Sequence, residues 1–155
     1  MKRVVTLALT LAASGAVLAQ PAPIVGSWLC ETELNNRGNT FVIERRETYN
    51  ASGEHLSVAR SYAFPAGEPE QRIMDLQVTT VGSWELNDGM LTTSINEANV
   101  VDLVNPDSRE ASSLSEFLLA QDPDSVGITV TENRLVLSYP ASGQSLECSP
   151  AANGS

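Results

Sequence analysis

Short runs of alternating apolar and polar residues follow one another from residue 24 to the C-terminus, and turn-forming residues separate them. Alternation with a period of two is typical of β-strands with one buried face, because successive side chains point to opposite sides of a sheet. The strongest hairpin signal is Asn87-Asp88-Gly89, since an Asp-Gly pair supplies the positive φ of a tight turn. The pattern predicts nine short strands, which are Ile24–Leu34, Asn39–Asn50, Glu54–Phe64, Gln71–Thr80, Gly82–Leu86, Met90–Asn96, Val126–Thr131, Arg134–Tyr139 and Gln144–Cys148.

One segment has a helical period instead. Residues 108–121 place apolar side chains at three- and four-residue spacing, Ser108 is available as a cap, and Pro123 follows the segment. This spacing puts the apolar side chains on one face of a helix. We therefore expect one short α-helix, at about residues 108–121, before the last three strands.

The first 19 residues have the pattern of a secretory signal peptide. Met1-Lys2-Arg3 is a basic start, Val4–Leu11 is an apolar run, and Val17-Leu18-Ala19 is a small-residue cleavage site. The apolar run is far shorter than the ~20 residues that span a bilayer. We expect cleavage, which leaves a mature domain of residues 20–155 that is periplasmic or secreted and has no membrane span.

The chain has two cysteines, Cys30 near the start of the mature domain and Cys148 near its end. In an exported protein an even number of cysteines predicts a disulfide, whereas a metal site would need more thiols or histidines than are present. A disulfide requires the two Cα atoms to lie within about 7 Å of each other. The pair therefore predicts that the first and last strands are neighbours.

Eight or nine consecutive short strands, one helix and a bond between the ends of the domain favour an all-β fold. We expect a single antiparallel up-and-down β-barrel of about eight strands, because closure removes the exposed edges of a free sheet. A two-sheet sandwich is the alternative.

Charge narrows the range of partners. Without residues 1–19 the chain retains seven arginines, no lysine and all 19 acidic residues, a net charge of −12. Phosphate groups would be repelled by such a protein, so the charge excludes nucleic acids and anionic lipid head groups as expected partners.

Two Gly-x-Trp motifs carry a resemblance to a known family. Gly26-Ser27-Trp28 opens the first predicted strand, and Gly82-Ser83-Trp84 precedes the Asp88-Gly89 hairpin. The arrangement resembles bacterial lipocalin-like domains, which are calycin-type small secreted barrels. The resemblance implies a barrel with one open mouth that holds a small hydrophobic ligand. The last predicted strand lacks the Arg that packs over the first-strand Trp in lipocalins.

The two motifs also have a physical interpretation that does not depend on the family. Gly26 and Gly82 allow close backbone approach, and Trp28 and Trp84 each bury a large ring, which would plug one end of a small barrel.

Motifs for catalysis are absent from the sequence. His55 is the only histidine, and we expect it on the surface, on the face opposite Leu56 and Val58. There is no Gly-x-Ser-x-Gly, no glycine-rich phosphate loop and no His-Glu-x-x-His. We therefore expect a protein that is not an enzyme and that uses no cofactor and no metal.

Two arginines share faces with apolar residues. Arg45 alternates with Phe41, Ile43, Glu47 and Tyr49, and Arg60 alternates with Leu56, Val58, Tyr62 and Phe64. If both faces point inward, two guanidinium groups enter the barrel and each needs a partner. In one interpretation Glu47 is that partner, or bulges turn the arginines outward. In the other, Arg60 with Arg45 or Tyr62 binds the acid head of a fatty-acid-like ligand, as in small fatty-acid-binding barrels.

The sequence thus predicts an exported lipocalin-like barrel that binds a small hydrophobic or amphipathic ligand. The alternative is a non-enzymatic envelope interaction module. Such a module would be a solid-barrel structural or assembly factor, or a protease-inhibitor-like barrel that uses the stiff lead at residues 20–23. A cavity in the barrel would favour the carrier, and an interior filled with large side chains would favour the alternative.

Overall fold

Eight antiparallel strands form a closed barrel in which each strand pairs with its neighbours along the chain and the last pairs with the first. The computed structural model describes residues 23–152. It confirms the expected all-β up-and-down barrel and the short helix before the last three strands, whereas the signal peptide predicted at residues 1–19 lies outside the described residues. The elements are β1 (Gly26–Asn36), β2 (Asn39–Tyr49), β3 (Glu54–Pro65), β4 (Met74–Asn87), β5 (Met90–Asp102), α1 (Arg109–Leu119), β6 (Asp124–Thr131), β7 (Arg134–Tyr139) and β8 (Gln144–Pro150).

The two strands predicted on either side of Val81 are one continuous strand, β4. The register of β4 against β5 shifts between Val81 and Gly82, which marks a β-bulge rather than a turn. Glycine is common both in bulges and in turns, so Gly82 indicated a break where the strand only bends. The count is therefore eight strands instead of nine.

Gly82 also permits a close approach of two backbones. A Cβ atom at this position would lie 1.7 Å from the carbonyl oxygen of Ser94 on β5. We expect Gly82→Ala to lower the free energy of unfolding by about 2–3 kcal/mol, because the bulge must shift to make room. Gly127→Ala in β6 is the matched control, since its nearest atoms are 3.7 Å away. Urea unfolding of both variants checks this, and equal losses of stability would contradict it.

The predicted disulfide is confirmed. Cys30 and Cys148 are directly opposite each other on β1 and β8, their Cα atoms are 4.2 Å apart, and both are buried. β1 and β8 pair only over Trp28–Cys30 among the described residues. The disulfide thus joins one of the three residue pairs that close the barrel.

Both motif tryptophans lie in the core. Trp28 Nε1 donates a 2.9 Å hydrogen bond to the carbonyl oxygen of Ile24, and Trp84 Nε1 donates one of 3.0 Å to that of Asn50. Each ring is therefore buried with its N–H satisfied, and the two rings belong to one apolar cluster.

The barrel is closed over only part of its height. β6 pairs with β5 over Met90–Thr93, and β8 pairs with β1 over Trp28–Cys30, whereas β1 to β5 pair with one another over 10 to 12 residues each. The five long strands therefore extend as a curved sheet beyond the three short ones. This difference in length positions the open end of the barrel.

The helix α1 packs on β5. Ser108 occupies the N-cap position with an extended backbone, although its side chain does not cap the helix. Ala111 is buried, and Ser115 Oγ donates a 2.7 Å hydrogen bond to the carbonyl oxygen of Ala98. Among the described residues, no helix is long and apolar enough to cross a membrane.

Candidate functional site

The interior of the barrel contains a cavity of about 490 Å³. Its wall combines inward-pointing side chains of six strands, β2 to β7, with residues 121–123, which lie between α1 and β6. One side of the wall is polar and consists of Arg45, Glu47, Tyr49, His55, Ser57, Thr80 and Tyr139. The other side is mainly apolar and consists of Leu91, Thr93, Ile95, Val126 and Leu137.

Glu47 is the centre of the polar side and is only 2% exposed. Its Oε2 lies 2.6 Å from His55 Nε2, and its Oε1 accepts a 3.3 Å hydrogen bond from Ser57 Oγ. Arg45 Nε is 2.5 Å from the same Oε1, although its N–H is not aligned as a hydrogen bond. The register explains the grouping, because Glu47 is directly opposite Ser57, and Arg45 is the next inward residue of β2.

The charges of Arg45 and Glu47 stabilise each other. Burial alone would raise the pKa of Glu47, but the hydrogen bond with His55 and the charge of Arg45 together hold it below its ordinary value of 4.5. Burial opposes the charged form of Arg45 as well, but the negative charge of Glu47 and the interactions with Tyr139 and Tyr49 together outweigh burial and raise the pKa of Arg45. Because an ionised carboxylate can only accept hydrogen bonds, His55 Nε2 carries the proton.

Two tyrosines border this ion pair. The ring of Tyr49 is stacked on His55 with 4.8 Å between ring centroids, and it meets Trp84 edge-on at 5.8 Å. Burial raises the pKa of the Tyr49 phenol, so it stays protonated at neutral pH. Tyr139 OH accepts a long hydrogen bond of 3.4 Å from Arg45 Nη2, which reaches from β2 to β7 across the barrel. Arg45 therefore retains donor capacity toward the cavity.

The structure separates the three residues predicted to bind a ligand. Arg45 points into the barrel as expected, and Glu47 is its partner. The interpretation in which the face of Arg60 and Tyr62 points inward does not hold, because Tyr49 pairs with His55 and thereby turns the odd-numbered residues of β3 inward. For the same reason, His55 is buried at 7% exposure and not on the surface.

Arg60 and Tyr62 take part in a network on the outer face of the sheet. Arg60 makes two hydrogen bonds to the buried carboxylate of Asp75, of 2.8 and 2.7 Å, and Tyr62 OH donates one of 2.9 Å to Glu44. The guanidinium of Arg72 lies 3.8 Å from the centre of the Tyr62 ring. These side chains form no common site with Arg45.

The alternation of apolar residues did not reveal that His55 and Ser57 line the cavity. The signal that could have revealed them is the tight turn at residues 50–53, which pairs Tyr49 with His55 and so puts both on one face. Among residues 23–152, no three His, Cys, Asp or Glu side chains are grouped as a metal ion would need.

Comparison with known proteins assigns the chain to no family, because no family model and no curated protein matches it. The resemblance carried by the two Gly-x-Trp motifs therefore stays a prediction.

Proposed function

We propose that this protein is an exported, lipocalin-like barrel without enzymatic activity that binds one small amphipathic ligand in its interior. The observation that carries the proposal is the cavity of about 490 Å³, whose wall is polar on one side and mainly apolar on the other. Sites for small molecules typically measure about 300–1,000 Å³ and combine apolar walls with a few placed polar groups. The cavity also disfavours the alternative of a solid-barrel structural factor.

Arg45 and Tyr139 would bind the polar head of the ligand. Among the described residues, Arg45 donates one long hydrogen bond, to Tyr139, and part of its side chain, 30%, is exposed. Leu91, Val126 and Leu137 would contact hydrocarbon next to the head. The ligand would thus lie with its head inside the barrel.

The charges around the cavity favour an uncharged head. Glu47 already balances the charge of Arg45, and Asp122 and Asp124 line the same cavity. A free carboxylate would meet a wall with an excess of negative charge, whereas a carbonyl or hydroxyl oxygen could accept from Arg45 without repulsion. We therefore favour a neutral acceptor over the acid head of the second interpretation of the two arginines.

Export and the inhibitor alternative rest on the sequence. A disulfide between Cys30 and Cys148 fits an oxidising compartment outside the cytoplasm. Residues 20–22 of the lead invoked for protease inhibition lie outside the described residues, so that alternative also stays a prediction.

Native mass spectrometry of the protein purified from a periplasm tests the proposal directly. We expect an additional mass that is lost on denaturation. A short monoacylglycerol with an eight-carbon chain serves as a defined probe, and octanoate serves as its acidic counterpart. If no bound mass is found and neither probe binds, the proposed function is wrong.

Arg45→Met is expected to weaken binding of the eight-carbon monoacylglycerol at least about tenfold, because a hydrogen bond to a charged donor is lost. Arg46→Met is the matched control, since Arg46 is exposed on the same strand and alternates to the other face. Isothermal titration measures both affinities, and thermal unfolding checks that both variants fold. Arg45→Lys, which keeps the charge but loses the planar donor group, should bind with intermediate affinity. Equal affinities of all variants would exclude Arg45 from the site.

A further inference from the structure

The barrel-facing side of the sheet continues beyond the cavity. Past Arg45, strands β1 to β4 contribute two further cross-strand rows to the same face. We call this surface the upper concave face. Its first row is Thr32, Ile43, Ser61 and Leu76, and its second row is Leu34, Phe41, Ala63 and Met74.

The upper concave face is mainly apolar and partly exposed. Ile43 is 38% exposed and Leu34 is 56% exposed, although both point to the same side of the sheet as the buried Glu47. Strands β6 to β8 cover the lower part of that side, and their pairing with the long strands ends at Cys30 and Thr93. The surface is therefore left open where the short strands stop.

The shape of this surface suits a chain-like ligand. β3 contributes only the small side chains of Ser61 and Ala63, whereas the flanking strands contribute Phe41 and Ile43 on one side and Met74 and Leu76 on the other. Ala63 is fully buried between these larger side chains, so the exposed apolar strip of this face runs along β1 and β2, over Ile43 and Leu34. Its lower end meets the cavity, because Ile43 is the next residue after Arg45 on that face of β2.

We infer that the ligand is a single-chain amphiphile that binds head-inward and whose hydrocarbon tail leaves the cavity past Arg45 to lie along the upper concave face. The inference rests on the proposed function and deepens it, since it assigns the tail to a surface outside the closed barrel. Continuity with the cavity selects the tail as the occupant. Its apolar contacts remove Ile43 and Leu34 from water.

A series of monoacylglycerols with chains of 6 to 14 carbons tests the inference. Each methylene that becomes fully buried increases the affinity about fourfold. On a half-open face, each added methylene should therefore increase the affinity about twofold. We expect affinity to keep rising after the cavity is filled. If the eight-carbon probe binds and longer chains bind no more tightly, the proposed function stands and the upper concave face is not the tail site.

The variant Ile43→Ser separates this surface from a general effect of exposed apolar residues. Val58→Ser is the matched control, because Val58 is 36% exposed and lies on the opposite, outer face of β3. We expect Ile43→Ser to weaken binding of the twelve-carbon probe about fivefold or more and to leave binding of the six-carbon probe unchanged. Val58→Ser should not show this dependence on chain length. Leu34→Ser should act like Ile43→Ser with the longest chains.

Two outcomes would overturn the inference. One is an equal effect of Ile43→Ser and Val58→Ser at every chain length. The other is a dimer in native mass spectrometry that Ile43→Ser dissociates while affinity is independent of chain length, because the upper concave face would then contact a second copy of the chain. Circular dichroism and thermal unfolding confirm that each variant retains the fold. Failure of every probe to bind, whatever its length, would count against the proposed function itself.

Discussion

Replacing Cys30 and Cys148 together with alanine is expected to lower the free energy of unfolding by about 5 kcal/mol. The bond joins residues that are 118 positions apart, so it restricts nearly the whole folded domain in the unfolded state. The loss of chain entropy on cross-linking grows with the logarithm of loop length, and a loop of this size is near the upper end of the usual range. Since domains are typically stable by about 5–15 kcal/mol, the variant would keep little stability.

Because of its position, loss of the disulfide should weaken the local pairing of β1 with β8 as well as lower the overall stability. β1 and β8 share three residue pairs, over Trp28–Cys30, and the disulfide is at one of them. Without it, the seam between the two strands depends on backbone hydrogen bonds and on the packing of Trp28. Hydrogen exchange should therefore accelerate first at the amides of this seam, before those of the long strands β2 to β4.

Urea unfolding of the double variant and of the oxidised protein measures the effect. The matched control is the wild-type protein after reduction, which keeps both sulfur atoms in the core but has no cross-link. If the loss is due to the cross-link, the reduced protein and the double variant should have similar stability. A reduced protein as stable as the oxidised one would show that packing of the side chains, and not the bond, matters.

The fold could be predicted because its signals are local. Period-two alternation, glycine turns and one helical segment each depend on a few neighbouring residues, and the two cysteines supplied the long-range constraint between the first and last strands. The error in the number of strands, at Gly82, has the same origin. A bulge and a turn both favour glycine, and only the pairing with Ser94 and Ile95 on β5 distinguishes them.

Only part of the site could be predicted, because the wall of a cavity has small residues where a filled core has large apolar ones. On β3 the side chains that face the barrel are His55 and then a run of small residues, whereas the larger Leu56, Val58 and Phe64 face outward. The rule that large apolar residues point inward holds for a filled core, and a hollow one needs small residues on its wall. The inward orientation of Arg45 and its pairing with Glu47 could be anticipated, because the rest of their face on β2, such as Tyr49, is large and apolar.

The buried ion pair is costly to the fold, which is an argument for its having a function. Taking Glu47 and Arg45 out of water is unfavourable, and apolar residues of similar size would serve stability as well or better. The structure nevertheless surrounds Glu47 with three partners that hold it in one position. A fixed Glu47 in turn orients Arg45 toward the cavity, as binding of a polar head would require.

Replacing Glu47 with glutamine is expected to lower the free energy of unfolding by about 3–5 kcal/mol at neutral pH. The amide keeps the size of the carboxylate but leaves Arg45 without a counter-charge, and its NH₂ group faces either His55 Nε2 or Ser57 Oγ. Glu85→Gln is the control, since Glu85 is exposed on β4. Urea unfolding of both variants should show a large loss only for Glu47→Gln.

The pH dependence gives a second measure of the same interaction. The pKa of Glu47 in the folded protein lies below its ordinary value of 4.5, because the hydrogen bond with His55 and the charge of Arg45 outweigh the effect of burial. A lowered pKa stabilises the fold at pH values above 4.5, and this contribution is lost as the pH falls through the folded-state pKa. The difference in stability between the wild type and Glu47→Gln should therefore be greatest near neutral pH and shrink progressively below pH 4.5. If the difference is the same at pH 7 and at pH 3, the charge of Glu47 does not stabilise the barrel.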